Sequence, residues 1–330
     1  MHTSLVTGGA GFIGSHLARE LLNKGHQVIV IDDLSGGFRE NLPAECRFFK
    51  GSIVNDALIS KIFEENSIDY IYHIAAFAAE GLSHFVRKFN YQNNVIGSIN
   101  LINAAIKHKV KCFIFTSSIA VYGSNHPPFD EKMIPIPNDP YGITKYAIEL
   151  DLKAANEQFG LNYIIFRPHN VYGERQNIHD PYRNVIGIFI NQLQKGEPLS
   201  IFGNGEQSRA FTYIGDISGV IANSINIEQA INKVINIGAD KTYSINIIAE
   251  KVMNEMNLKS EIKFHEARKE SIHAFSNHRT AIKIFGEFDK TSLDLGLEIM
   301  CKWVRSSDYE YYSPQPEIEI TKNLPKKWQK

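Results

Sequence analysis

Along the first half of the chain, short apolar runs alternate with segments whose apolar residues recur every three or four positions. TSLVT (3–7) reads as a strand. FIGSHLARELLNKG (12–25) reads as a helix, with Ile13, Leu17 and Leu21 on one face and Gly25 as its stop. QVIVID (27–32) is a strand again, and CRFFKG (46–51), IDYIYHIAA (68–76) and KCFIFTSS (111–118) follow as buried strands separated by helical stretches. YGITKYAIELDLKAANEQFG (141–160) is one more helix, closed by Gly160, and LNYIIFRP (161–168) is the strand after it. Apolar strands without alternation are covered on both faces, which predicts a parallel sheet flanked by helices.

From about residue 170 the rhythm loosens. LSIFG (199–203), VINIG (234–238) and EIKFHE (261–266) are short strands among helices, and the tail after Ser306 is polar, proline-containing and irregular. The expected architecture is α/β: a Rossmann-type doubly wound parallel sheet over residues 1–170. A smaller α+β substrate lobe is expected over 171–330, with some chain crossing back to the sheet.

Composition narrows the function classes. Lys+Arg is 35 and Asp+Glu 36, giving a net charge of −1, which argues against bulk binding to nucleic acid or an acidic membrane. No apolar run approaches ~18 residues and no leader pattern opens the chain, so neither a span nor secretion is expected. Cys46, Cys112 and Cys301 are far apart and odd in number, which suits a reducing cytoplasm. The 12 histidines show no H-x-x-x-H or H-x-E pattern, and no metal site is expected.

Two motifs carry chemistry. Gly8, Gly11 and Gly14 in TGGAGFIG lie between the first strand and the first helix. Glycines there permit a tight turn, close approach of backbone N–H groups to a pyrophosphate, and close helix packing. Asp32 and Asp33 end the next strand, where a carboxylate can accept hydrogen bonds from an adenosine ribose and repel a 2′-phosphate. NAD is therefore favoured; Arg39 nearby keeps NADP as the alternative. In PYGITKYAIE (140–149), Tyr141 and Lys145 share a helical face at i and i+4. A free phenol has a pKa near ~10, and a neighbouring ammonium favours its ionised form, making a base of it.

TGGAGFIG, TSSIAVYG and YGITK, in this order and spacing, resemble the extended short-chain dehydrogenase/reductase family. Within it the chain is similar to the nucleotide-sugar epimerases and dehydratases, above all the UDP-glucose 4-epimerase group. The likeness continues through NNVIGS (93–98), RPHNVYGERQ (167–176), IFGNGEQSRAFTYIGDI (201–217) and, more weakly, EARKES (266–271). The resemblance implies a catalytic Ser118, Tyr141 as base and Lys145 as its partner. For the cofactor it implies Phe12 and Ile13 beside the glycines, Ser35, Gly36 and Gly37 after the acidic pair, and Ser52, Ile53, Ala75 and Ala76 after the next strands. Asn94 and His169 complete that set, together with Tyr141 and Lys145. For the sugar nucleotide it implies Asn170, Val185, Arg209 and Arg268 besides Ser118.

Two departures stand out. Ser52 replaces an aspartate near the adenine, and Ala78 stands where some epimerases place a lysine. Related dehydratases carry an Asp-Glu pair just after the catalytic hydroxyl; here Ile119 and Ala120 follow Ser118, and Asp130 and Glu131 fall in the next loop. The resemblance implies 4-epimerisation of a UDP-glucose/UDP-galactose-type nucleotide sugar through a transient 4-keto sugar, and the residues after Ser118 argue against elimination. The rivals are a dehydratase, a decarboxylase, a uronate epimerase or a non-catalytic NAD-binding scaffold. A homodimer is expected by resemblance, through helices near 84–108 and 144–159, with Ala104, Ala105, Ala147, Ala154 and Ala155 permitting close approach.

Overall fold

A computed structural model describes residues 1–267, 271–288, 290–307 and 315–329. Seven parallel strands form the central sheet. They are β1 (Thr3–Thr7), β2 (Gln27–Asp32), β3 (Arg47–Lys50), β4 (Tyr70–His73), β5 (Cys112–Thr116), β6 (Tyr163–Pro168) and an edge strand, Lys233–Ile237. Their order is Lys233–Ile237, β6, β5, β4, β1, β2, β3. The winding reverses between β1 and β4, so a crevice opens at their C-terminal ends, the place where such sheets bind ligands.

Successive residues of each strand feed opposite cores. Leu5, Ile31, Ile71, Phe113 and Ile165 meet the helices Asp56–Glu65, Gly97–Lys107 and Pro140–Phe159. Val6, Val30, Tyr72, Ile114 and Phe166 meet the helices Phe12–Asn23 and Ile214–Asn223. Both faces are covered, which explains why these strands read as unbroken apolar runs.

The second half of the chain is divided between the two bodies. Helices Val185–Gln194, Ile245–Met256 and Leu293–Ser306 pack around Phe189, Ile248 and Leu297 to make the lobe. Strands Leu199–Phe202 and Ile262–His265 pair beside them in parallel. The run VINIG, read from sequence as part of the lobe, is instead the seventh strand of the large sheet, with Ile235 and Ile237 fully buried beside β6. Local pattern identifies a buried strand but not the partner 65 or more residues away. The dimer argument from small residues also changes. Ala104, Ala105 and Ala155 are buried inside the protomer. The outward stripe on Pro140–Phe159 is Ile143, Ala147, Leu150 and Ala154, of which Ile143 and Leu150 are exposed. Among the described residues, no helix is long and apolar enough to cross a membrane.

Candidate active site

A cavity of about 1540 Å3 runs along the crevice between the sheet and the lobe. At one end lies the glycine turn. Gly8 has φ +67, and a Cβ there would stand 2.8 Å from the Ala75 backbone. A Cβ on Gly14 would stand 2.1 Å from the Gly8 carbonyl oxygen, so only glycine lets the helix approach the turn. Gly11 starts that helix with no side-chain cap, leaving its first N–H groups for an anion. Asp32 accepts the Ala10 N–H at 3.0 Å and the Leu34 N–H at 2.8 Å. Burial lifts its carboxyl to about 6 despite these bonds. These features fit the pyrophosphate and ribose of a dinucleotide.

Phe12, Ile13, Asp33, Ser35, Gly36 and Gly37 line the same end of the cavity, as do Ser52, Ile53, Ala75 and Ala76. The Ser52 hydroxyl accepts the Val54 N–H at 3.2 Å, so it braces its own turn. Ala78 also borders the cavity and brings no charge to it. Asn94 is placed differently from the expectation. It is buried at 3% exposure, and its amide accepts the Phe77 N–H at 2.7 Å and donates to the Phe77 carbonyl at 3.0 Å. It clamps the loop after β4 from behind, while the neighbouring Asn93 lines the cavity.

The catalytic candidates converge from β5 and the helix Pro140–Phe159. Asp139 caps that helix by accepting the Gly142 N–H at 2.9 Å, Pro140 occupies its first turn, and Gly160 ends it at φ 73. Tyr141 and Lys145 therefore face inward one turn apart. Ser118 starts the turn after β5 and accepts the Ala120 N–H at 3.1 Å, and its hydroxyl lies close enough to the Tyr141 phenol to favour the ionised form. Lys145 is 3% exposed; its Nζ donates to the Thr116 carbonyl at 2.7 Å and lies 5.9 Å from the Tyr141 ring centre.

The electrostatics differ from the sequence expectation. Burial pushes the Tyr141 phenol well above its ordinary value, and Glu80 adds to the rise; the nearby Ser118 hydroxyl and Arg183 only temper it. Lys145 is itself lowered to about 7 by burial, against the pull of Glu149. The protein alone therefore does not make a phenolate, because desolvation penalises both charged forms.

On the substrate side, Arg209 donates to the carbonyls of Ser208, Ile272 and Ser271 at 2.8–2.9 Å, which fixes its guanidinium in the wall. Asn170, at φ 40, donates to the Ala210 carbonyl at 3.1 Å. His169 shares that carbonyl through Nδ1 at 3.0 Å, and its Nε2 lies 3.1 Å from His278 Nε2. Burial and His278 lower it to about 3, so it is a neutral wall residue. Val185 opens its helix against the cavity, with Asn184 as the cap. Arg268 lies outside the described residues.

Sequence reasoning missed several cavity residues. Glu80, His84 and Asp139 border it, as does Arg183, whose guanidinium would stand 3.1 Å from a Cβ placed on Gly36. Arg183 stands two positions before Val185, which the resemblance implies for the site. Glu80 begins the short helix Glu80–Ser83 after β4, not the Ser118 segment searched for acids.

A family model described as the NAD dependent epimerase/dehydratase family matches residues 4–238. A putative UDP-glucose 4-epimerase of Methanocaldococcus jannaschii is 32% identical over 308 residues, 92% of this chain and 99% of that protein. A UDP-N-acetyl-alpha-D-glucosaminuronate decarboxylase of Bacillus cytotoxicus is 32% identical over 91% of this chain and 97% of its own length. The crystal structure of a UDP-glucose 4-epimerase of Thermotoga maritima with UDP-glucose superposes with a TM-score of 0.86 at 35% identity, covering 92% of this chain and 99% of that one.

Proposed function

The chain belongs to the NAD dependent epimerase/dehydratase family, and from that premise we propose that it inverts C4 of a nucleoside-diphosphate hexose of the UDP-glucose/UDP-galactose kind. The observation that carries the reading is the Ser118–Tyr141–Lys145 cluster, which faces the cavity that the glycine turn and Asp32 enter from the other end. The glycine turn and Asp32 would hold NAD, which would supply a reversible hydride acceptor and a positive charge favouring the ionised form of the Tyr141 phenol. Tyr141 then takes the C4 hydroxyl proton and later gives it back. Ser118 holds the C4 oxygen through both half-reactions, and Lys145 fixes the face of the site from beneath. Arg209 and Asn170 grip the diphosphate end, so the sugar turns over between two hydride transfers without leaving.

The test is incubation with UDP-glucose, UDP-galactose, their N-acetyl and uronate counterparts, and dTDP-, GDP- and CDP-hexoses, with products followed by NMR. A C4-inverted sugar of unchanged mass is the expected product. A second reading, elimination of water, draws on Glu80, whose carboxylate is close enough to Tyr141 to raise its pKa. A product lighter by one water would establish it and displace epimerisation.

Asp32 is the proposed ribose acceptor and the basis of NAD preference. Its acceptor form exists above about 6 and is lost below it, so cofactor retention is expected to fall as pH drops through about 6. Asp32→Ala is expected to cut the NAD co-purifying with the protein by roughly tenfold, since a charged acceptor is lost. Release by denaturation and assay of the supernatant reads this; predominant NADP in the wild type would overturn the assignment. The outward stripe Ile143, Ala147, Leu150 and Ala154 supports a homodimer through that helix, which light scattering at micromolar concentration checks. The three cysteines are buried free thiols, in keeping with a cytoplasmic setting.

A further inference from the structure

The stretch after the helix Leu293–Ser306 returns to the cavity. Its described part is anchored at several points. Glu319 and Ile320 donate their N–H groups to the Phe85 carbonyl, at 2.8 and 3.2 Å. The Glu319 carboxylate accepts the Lys88 and Phe89 N–H groups, both at 2.8 Å, at the start of the helix Arg87–Tyr91. Leu324 is 7% exposed. Trp328 packs edge-on against Phe85 and Tyr182, with ring centres 6.1 and 5.1 Å apart. Next to it, Lys327 donates to Ser200 of the lobe strand Leu199–Phe202.

The segment thus spans the cleft, from the loop after β4 to the lobe. Lys322, Lys326 and Lys327 line the cavity that Arg183 and Arg209 also line. Among the described residues, Lys322 and Lys326 have no ion-pair partner. Arg183 is paired with Asp180 at 2.8 Å, and the cavity is also lined by Asp32, Asp33, Glu80, Asp139 and Glu266; Lys322 and Lys326 add positive charge to its wall that an anion would offset. The ligand chemistry that fits is a nucleoside diphosphate.

We propose that residues 318–329 form a strap belonging to the substrate site, and that Lys326 and Lys327 bind the diphosphate of the nucleotide sugar. This rests on the nucleotide-sugar reading above. Glu319, Leu324 and Trp328 hold the strap, and the two lysines face the ligand.

The experiment compares full-length wild type with the Lys326→Ala/Lys327→Ala double variant and with Trp328→Ala. The probes are UDP and uridine, measured by calorimetry at two salt concentrations, with NAD content and thermal melting as controls for the fold. The double variant is expected to bind UDP roughly tenfold more weakly and with less salt dependence, uridine equally, and to raise KM by a similar factor with kcat within about twofold. Trp328→Ala is expected to weaken UDP in the same direction with NAD content unchanged. Equal UDP affinity in the double variant and wild type overturns the strap's role while leaving the proposed reaction intact. Tighter UDP binding by the variants also overturns it, and shows that the strap occludes the site. A wild type that binds none of UDP, dTDP, GDP and CDP overturns both this inference and the nucleotide-sugar reading.

Discussion

Tyr141→Phe is expected to lower turnover by roughly a thousandfold or more, the range for loss of a general base, while the protein keeps its NAD. The substitution removes one oxygen from a side chain that is 8% exposed and leaves the ring in its packing. Ser118 accepts the Ala120 N–H at 3.1 Å whether or not the Tyr141 hydroxyl is present, so the serine stays in place. The dinucleotide end, with the glycine turn and Asp32, is untouched. The measurement is single-substrate turnover by NMR together with cofactor released on denaturation. Turnover within about tenfold of wild type would exclude Tyr141 as the base, since general-base effects start near a hundredfold.

Glu149→Ala is expected to destabilise the fold by about 3–5 kcal/mol, the cost of leaving one partner of a buried pair uncompensated. Glu149 is 0% exposed and Arg167 2%. Arg167 Nε donates to Glu149 Oε1 at 2.9 Å, and Ser117 Oγ donates to the same oxygen at 2.5 Å. The carboxylate thereby ties the helix Pro140–Phe159 to β5 and β6, one turn beyond Lys145. Arg167 also lies 4.7 Å from the Tyr122 ring centre and is only 2% exposed, so solvent screens an orphaned charge there poorly. A second consequence follows for Lys145, whose pKa Glu149 raises. Without Glu149 it drops further below its ordinary value, so the ammonium form is scarcer at pH 7. Denaturant unfolding measures the stability loss. A loss below about 1 kcal/mol, the level of an exposed pair, would show that the network does not hold the helix. The double variant Glu149→Leu/Arg167→Leu is expected to recover much of the loss, because it leaves no orphan charge.

The parallel sheet, the glycine turn and the Tyr141–Lys145 helix were legible in the sequence because each is a local pattern. A strand covered on both faces is an apolar run. A dinucleotide turn needs glycines where a Cβ would strike backbone. A helix announces itself by its cap, its period and Gly160. Those patterns also placed Ser118, Asp32 and Arg209 near one cavity, once the resemblance supplied their order.

What only the tertiary structure decided depends on distances that no local pattern encodes. The strand Lys233–Ile237 completes the sheet far from β6 in sequence. Asn94 spends its amide on Phe77 rather than facing the cavity, because the loop after β4 leaves backbone groups that must be satisfied. Glu80 and Arg183 act on the Tyr141 phenol through their charges from two other elements. The Tyr141–Lys145 spacing suggested an activated phenol, yet the sign of its shift is set by burial, which sums contributions from the whole fold. The tail reads as irregular polar chain from its composition, and its described residues 315–329 are irregular apart from the turn Lys326–Trp328. That its lysines line the cavity follows only from where Glu319, Leu324 and Trp328 find their partners across the cleft.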